Sequence, residues 1–177
     1  MKPKILFILH LPPPIHGAAM MGKYIQESEL VNSSFDCFCI NLATAGSLSD
    51  IGHISLKKLL KYFFLLKHIS HVVREIRPEL VYITPNAGGK AFFKDFIVVQ
   101  MLKSMGCKVI AHYHNKGVSV YQSKWVYNFF YKRFFSNLKV ILLAENLYKD
   151  IAKYVKREDV ISRYLFSIPI HLLYKQG

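Results

Sequence analysis

A chain of 177 residues that is 52% apolar and 20% charged can bury one real core, and its composition excludes intrinsic disorder. Its 24 lysines and arginines stand against 11 aspartates and glutamates, a formal charge of +13, which points to nucleic acid, anionic lipid headgroups or phosphorylated substrates as partners. The three cysteines lack zinc-type spacing and read as reduced, mostly buried thiols in a cytosolic setting.

The first predicted strand is Lys4–His10, "KILFILH", a continuous apolar run of the kind a parallel strand covered on both faces requires. Its basic start mimics a signal peptide, but no small-residue cleavage site follows, and a buried strand is the better reading. The chain leaves it through "LHLPPPIHGAAMMG", Leu9 to Gly22. Pro12, Pro13 and Pro14 hold the exit path without offering amide donors, and Gly17 permits close backbone approach where the next helix starts. Either this is only a tight strand-to-helix connection, or the free N–H groups face a phosphate or carboxylate. Helical composition then runs from Ala18 to about Glu27, and "FDCFCINL", Phe35–Leu42, reads as the second strand.

Ser55 reads as the N-cap of a long helix that Pro78 stops at about Arg77. In it Leu56, Leu59, Leu60 and Phe63 continue into Leu66, Ile69, Val73 and Ile76 as one apolar stripe. "LVYIT", Leu80–Thr84, is the third strand; residues 85–89 form a loop, and a helix follows to about Met105, closed by Gly106. "CKVIAHYH", Cys107–His114, is the fourth strand, "WVYNFFYKRFF" a helix, "KVILLAE" the fifth strand and "LYKDIAKYV" a further helix. No apolar stretch reaches bilayer length, and there is no internal repeat. Strands alternating with helices predict an α/β fold, a doubly wound parallel sheet.

Ligands of such sheets bind beyond the carboxyl ends of the strands, which singles out His10–Gly17, Thr84–Gly89, His112–Gly117 and Ala144–Asn146. His112 and His114, two apart on a strand, share a face. A metal pair lacks a visible third ligand, so no metal is expected; His112 reads as a core histidine and His114 as a hydrogen-bonding group for a polar ligand. Asn86, Gly88 and Gly89 form a flexible turn, with Lys94 and Asp95 read as solvated surface or ligand contacts, and Glu145 as a helix cap or sugar-hydroxyl acceptor. The mixed basic and aromatic segments "SLKKLLKYFFLLKH" and "WVYNFFYKRFF" are mostly core, but Phe64, opposite the stripe, suggests a face that lies on anionic membrane. No nucleic-acid-binding pattern accompanies the charge.

Three stretches, "ILFILHLPPPIHGAAMM", "PELVYITPNAGGKAFFKDFIVVQMLKSMGCKVIAHYHNKG" and "KVILLAENLYKDI", together resemble the N-terminal domain of family 4 glycosyltransferases, retaining GT-B enzymes of bacterial polysaccharide and lipopolysaccharide synthesis. The resemblance runs from about Lys4 to Val155 and implies a Rossmann-like N-terminal half of a GT-B fold over residues 1–160. It implies transfer of a sugar from a UDP- or GDP-type nucleotide sugar, with no other cofactor, to a lipid-linked or polysaccharide acceptor. The setting it implies is cytoplasmic, peripheral at the inner face of the cell membrane. By position, His16 and Gly17 would match the donor-phosphate loop and His114 the strand-end histidine that contacts the transferred sugar; Asn86, Gly88, Lys94, Asn115 and Glu145 would line the acceptor and sugar site. Residues 161–177 keep Ile168-Pro169-Ile170 but lack the Asn-Gly turn that leads into the family's second domain. The expectation is an excised domain, a truncated product or half of a split enzyme, inactive alone and open to a separate C-terminal chain as partner. A non-catalytic module that binds a membrane surface or a partner is the alternative.

Overall fold

The structure, a computed structural model, describes residues 1–13, 15, 17–42 and 56–162. Pro14, His16, the expected cap Ser55 and the tail from position 163 lie outside the described residues. The first strand is β1 (Lys4–Leu9), followed by α1 (Gly17–Gln26), α2 (Glu29–Ser34) and β2 (Asp36–Asn41). Then come α3 (Leu56–Ile76), β3 (Leu80–Ile83), α4 (Gly89–Ser104) and β4 (Val109–Tyr113). The chain continues through α5 (Val118–Tyr121), α6 (Trp125–Phe135), β5 (Lys139–Leu142), α7 (Tyr148–Ile151) and β6 (Val160–Ser162).

All six strands are parallel, in the order β2-β1-β3-β4-β5-β6. This is the predicted doubly wound, Rossmann-like α/β fold. Strand alternation builds its two layers: Ile5, Phe7 and Leu9 pack with Ile25, Val31 and Phe35 on the side of α1 and α2. Leu6 and Ile8 turn the other way, into a larger core with Ile69 of α3, Val98 of α4 and Phe134 of α6. The order reverses at β1, which has β2 on one side and β3 on the other. The crevice beyond the carboxyl ends of β1 and β3 is therefore the topological switch point, where such folds take ligands.

The buried first strand agrees with the sequence reading, but the long stripe on α3 does not. Leu56, Leu59, Leu60 and Phe63 are 50–74% exposed, whereas Tyr62, Ile69 and Val73 are buried. A step of three residues falls short of a full turn, so a stripe built mainly of such steps drifts around the helix by about 60° each time. The eight positions are thus two stripes, one inward and one outward. Cys39 is exposed on the outer strand β2 rather than buried. Short elements escaped the sequence reading: α2, whose N-cap Ser28 Oγ accepts from the Val31 amide at 3.4 Å, then α5 and the three-residue β6.

Candidate functional site

The site is assembled at the ends of β1, β3 and β4. At the β1 end, His10 Nδ1 makes a long hydrogen bond of 3.5 Å with Oγ1 of buried Thr84, which joins the two sides of the switch point. Asn41, at the end of β2, accepts from the Leu11 amide at 3.2 Å and so fixes the path into the proline turn. Helix α1 begins at Gly17, and a β-carbon there would meet no atom of the described residues within 4 Å. The close approach lies five residues on, where a β-carbon at Gly22 would stand 2.1 Å from the His10 carbonyl oxygen. Gly22, not Gly17, is the glycine that lets α1 settle onto the strand end.

A polar row crosses the sheet toward this crevice. The ring of Phe7 on β1 packs on Tyr82 of β3, whose hydroxyl hydrogen-bonds Nδ1 of His112 on β4. Burial holds the phenol protonated and pushes the His112 imidazole down to about 3, so the hydroxyl donates and the ring's own proton sits on Nε2. The next ring in the row is His114, its centroid 4.2 Å from that of His112. Both nitrogens of His114 are withdrawn from solvent and have no hydrogen-bond partner among the described residues. Burial lowers its pKa to about 4, so this imidazole is neutral at pH 7 and offers one donor and one acceptor. No third side chain joins the two histidines as a metal ligand would, among the described residues.

The loops around His114 are pinned from outside. Oδ2 of buried Asp95 accepts from both the amide and the side-chain Nδ2 of Asn86, at 2.7 and 2.8 Å. Asn115 Oδ1 accepts from the Ala87 amide at 3.2 Å, and the Tyr131 hydroxyl donates to the Ala87 carbonyl at 2.6 Å. Gly88 passes the Tyr121 ring so closely that a β-carbon would stand 2.3 Å from it. Beyond β4, the Asp150 carboxylate takes the amides of Gly117, Val118 and Ser119 and the Ser119 hydroxyl, and these bonds hold its pKa below the usual carboxylate range despite burial.

The structure therefore brings His114, Asn115, Asn86 and Gly88 to neighbouring strand ends, with Asn86 and Asn115 bracing the loops. Lys94 is exposed on α4, in the other layer, where its backbone carbonyl accepts from Tyr62. Asp95, one residue on, is buried rather than solvated because its carboxylate serves Asn86. Glu145 lies past β5 in an ion pair with Arg157. His10, Thr84, Tyr82 and Gly22 complete the site, and the sequence marks His10 and Thr84 among them, by their places at strand ends.

What these observations define is a doubly wound, all-parallel α/β domain with a neutral histidine beside its switch-point crevice. Comparison with protein-family models, curated proteins and solved structures finds no match to this chain.

Proposed function

We propose that this chain is the N-terminal, mainly acceptor-binding half of a GT-B glycosyltransferase. The two-domain enzyme would transfer a sugar from a UDP- or GDP-type nucleotide sugar to a lipid-linked or polysaccharide acceptor at the inner face of the cell membrane. The observation that carries this reading is His114, a neutral imidazole at the carboxyl end of β4 whose two buried nitrogens have no partner among the described residues. A buried polar atom without a partner costs about 1–3 kcal/mol, and a ligand that fills its hydrogen bonds recovers that cost. Sugar hydroxyls donate and accept at once, so they match a neutral imidazole better than a cation does.

The rest of the crevice fits this role. The start of α1 at Gly17 presents backbone N–H groups and the positive end of a ten-residue helix, which suits the donor phosphates. In the Mechanism this implies, His114 orients a hydroxyl of the transferred sugar while Asn86 and Asn115 hold the loops that shape the pocket. His112, its Nδ1 engaged by Tyr82, backs the His114 ring and limits its motion. The resemblance to family 4 sequences suggests the reaction, and the fold and His114 support the reading.

The test is a nucleotide-sugar titration of the whole 177-residue chain, followed by the His114 ring signals in NMR. UDP-glucose or GDP-mannose at millimolar concentration should shift those signals, and His114→Ala should abolish the binding. Ring signals that stay put under both nucleotide sugars would remove this reading.

A further inference from the structure

The three helices on the sheet face away from α1 form one continuous layer. Tyr62 of α3 donates to the Lys94 carbonyl of α4 at 2.6 Å, and Phe93 and Phe96 of α4 pack edge-on against Phe130 of α6 at 5.3 and 4.8 Å. On α3, Leu56, Leu59, Leu60, Phe63 and Phe64 all point outward. Ile97 on α4 and Trp125 and Phe129 on α6 extend the same exposure, with Trp125 81% exposed. Scattered exposed apolar residues need no explanation, but five in the first nine residues of one helix form a patch.

Charge on this layer is equally one-sided. The helices α3, α4 and α6 carry ten basic residues and two acidic ones. Of the two acids, Asp95 is buried beneath Asn86, and Glu75 sits at the last turn of α3 beside His71, at 3.5 Å. Neither the first part of α3 nor any of α6 contributes a carboxylate of its own. Bases and rings are interleaved: Lys67 Nζ lies 4.7 Å from the centre of the Phe63 ring, and the Arg133 guanidinium is 4.7 Å from that of Phe129. Such side chains rest their stems on apolar surface and can raise their charged heads to a phosphate plane.

We infer that this layer docks on an anionic lipid bilayer. The apolar side chains enter the headgroup region and the lysines and arginines meet lipid phosphates. Nucleic acid would satisfy the charge but has no use for exposed leucines and isoleucine. A second copy would set this basic face against itself. Most of the apolar patch lies in the first turns of α3 and the first half of α6; both helices run back to the starts of β3 and β5, so these turns, and the bilayer they meet, lie toward the rim of the sheet that carries His114. This deepens the transferase reading by giving its lipid-linked acceptor a surface, and rests on it only for that link; the docking face stands on its own side chains.

Trp125 is the single tryptophan of the chain and therefore its own probe. The experiment mixes the full chain with phosphatidylcholine vesicles, alone or with one-third phosphatidylglycerol, and records flotation and tryptophan emission. The expected result is flotation and a blue shift with the anionic vesicles only, weakened at least tenfold by raising salt from 0.1 to 0.5 M. Each base near an anionic surface is worth about a factor of five, so Lys61→Gln with Lys67→Gln should lower the partition coefficient roughly twentyfold. Phe64→Ser with Leu60→Ser should lower it as well, while circular dichroism stays unchanged because all four side chains are exposed. Absence of flotation, equal binding to neutral vesicles, self-association through this face, or tighter binding to RNA than to vesicles would each overturn the proposal. The His114 titration with nucleotide sugar is read separately, so the two readings fail independently.

Discussion

The carbonyl oxygen of His10 lies where a β-carbon on Gly22 would be only 2.1 Å away. Backbone cannot retreat from such an overlap without lifting α1 off the end of β1. Gly22→Ala should therefore destabilise the fold by about 1–3 kcal/mol, the usual cost of overpacking. Gly17→Ala, with no atom of the described residues within 4 Å of the new methyl, should leave the urea midpoint nearly unchanged or raise it slightly through better helix propensity. Equal midpoints for the two variants would show that α1 does not rest on His10.

His114 makes the opposite kind of prediction. Its two nitrogens are buried without partners among the described residues, so replacing the ring by an apolar one of similar size removes a cost. His114→Phe should keep the fold and hold or raise stability by about 1 kcal/mol, while nucleotide-sugar binding disappears. By contrast, Tyr82→Phe strips the His112 Nδ1 of its donor and should cost about 1–3 kcal/mol. Urea unfolding of the two variants separates them; a His114→Phe loss as large as that of Tyr82→Phe would show that the His114 nitrogens are satisfied in the folded protein.

The strands were legible because they are buried on both faces, so β1 and β3 carry apolar runs such as "ILFIL", and β4 is interrupted only by His112. The strand-end rule then located the crevice without any motif. What the sequence concealed is three-dimensional closeness. The "HGAAMMG" stretch shows two glycines, and only the packing of α1 on His10 tells which is obligatory. Asp95 looks like a surface acid beside a lysine until the Asn86 loop folds over it. On α3, periodicity alone joined an inward stripe to an outward one, because residues three apart look like neighbours along one face while each step rotates the stripe.

Acid should weaken the protein through its paired histidines. Burial lowers His112 to about 3 and His114 to about 4, well below the ordinary 6.5, so in this range the unfolded chain binds more protons than the folded one. The stability these groups contribute is complete above about pH 6.5 and is lost as pH falls toward 3 to 4. Each histidine contributes a slope of up to about 1.4 kcal/mol per pH unit, so His114→Gln should roughly halve the slope due to the pair. Nucleotide-sugar binding should persist at pH 5, where a solvent-exposed histidine would already be charged. Binding that falls away with a midpoint near pH 6.5 would place His114 in water.

Asp95 acts in the contrary direction over the same range. Burial raises its pKa from 3.8 to about 6 despite the two hydrogen bonds from Asn86, so between these values the folded state binds the extra proton. Its contribution is fully present below about pH 4 and is lost as pH rises through 6, the reverse of the histidine effect. In the native protein the two trends offset one another, and the acid-side loss is shallower than the histidines alone would give. Asp95→Asn should unmask it. Both Asn86 bonds end on the single oxygen Oδ2, and an asparagine carbonyl has two lone pairs to receive them, so the loop should hold. The variant should match or exceed native stability at pH 7, by up to roughly 3 kcal/mol, because no charge is buried. Between pH 4 and 6 its urea midpoint should then fall more steeply with acid than that of the native chain. Superimposable pH profiles would mean that Asp95 is ionised throughout, and that Asn86 holds it as strongly as water does.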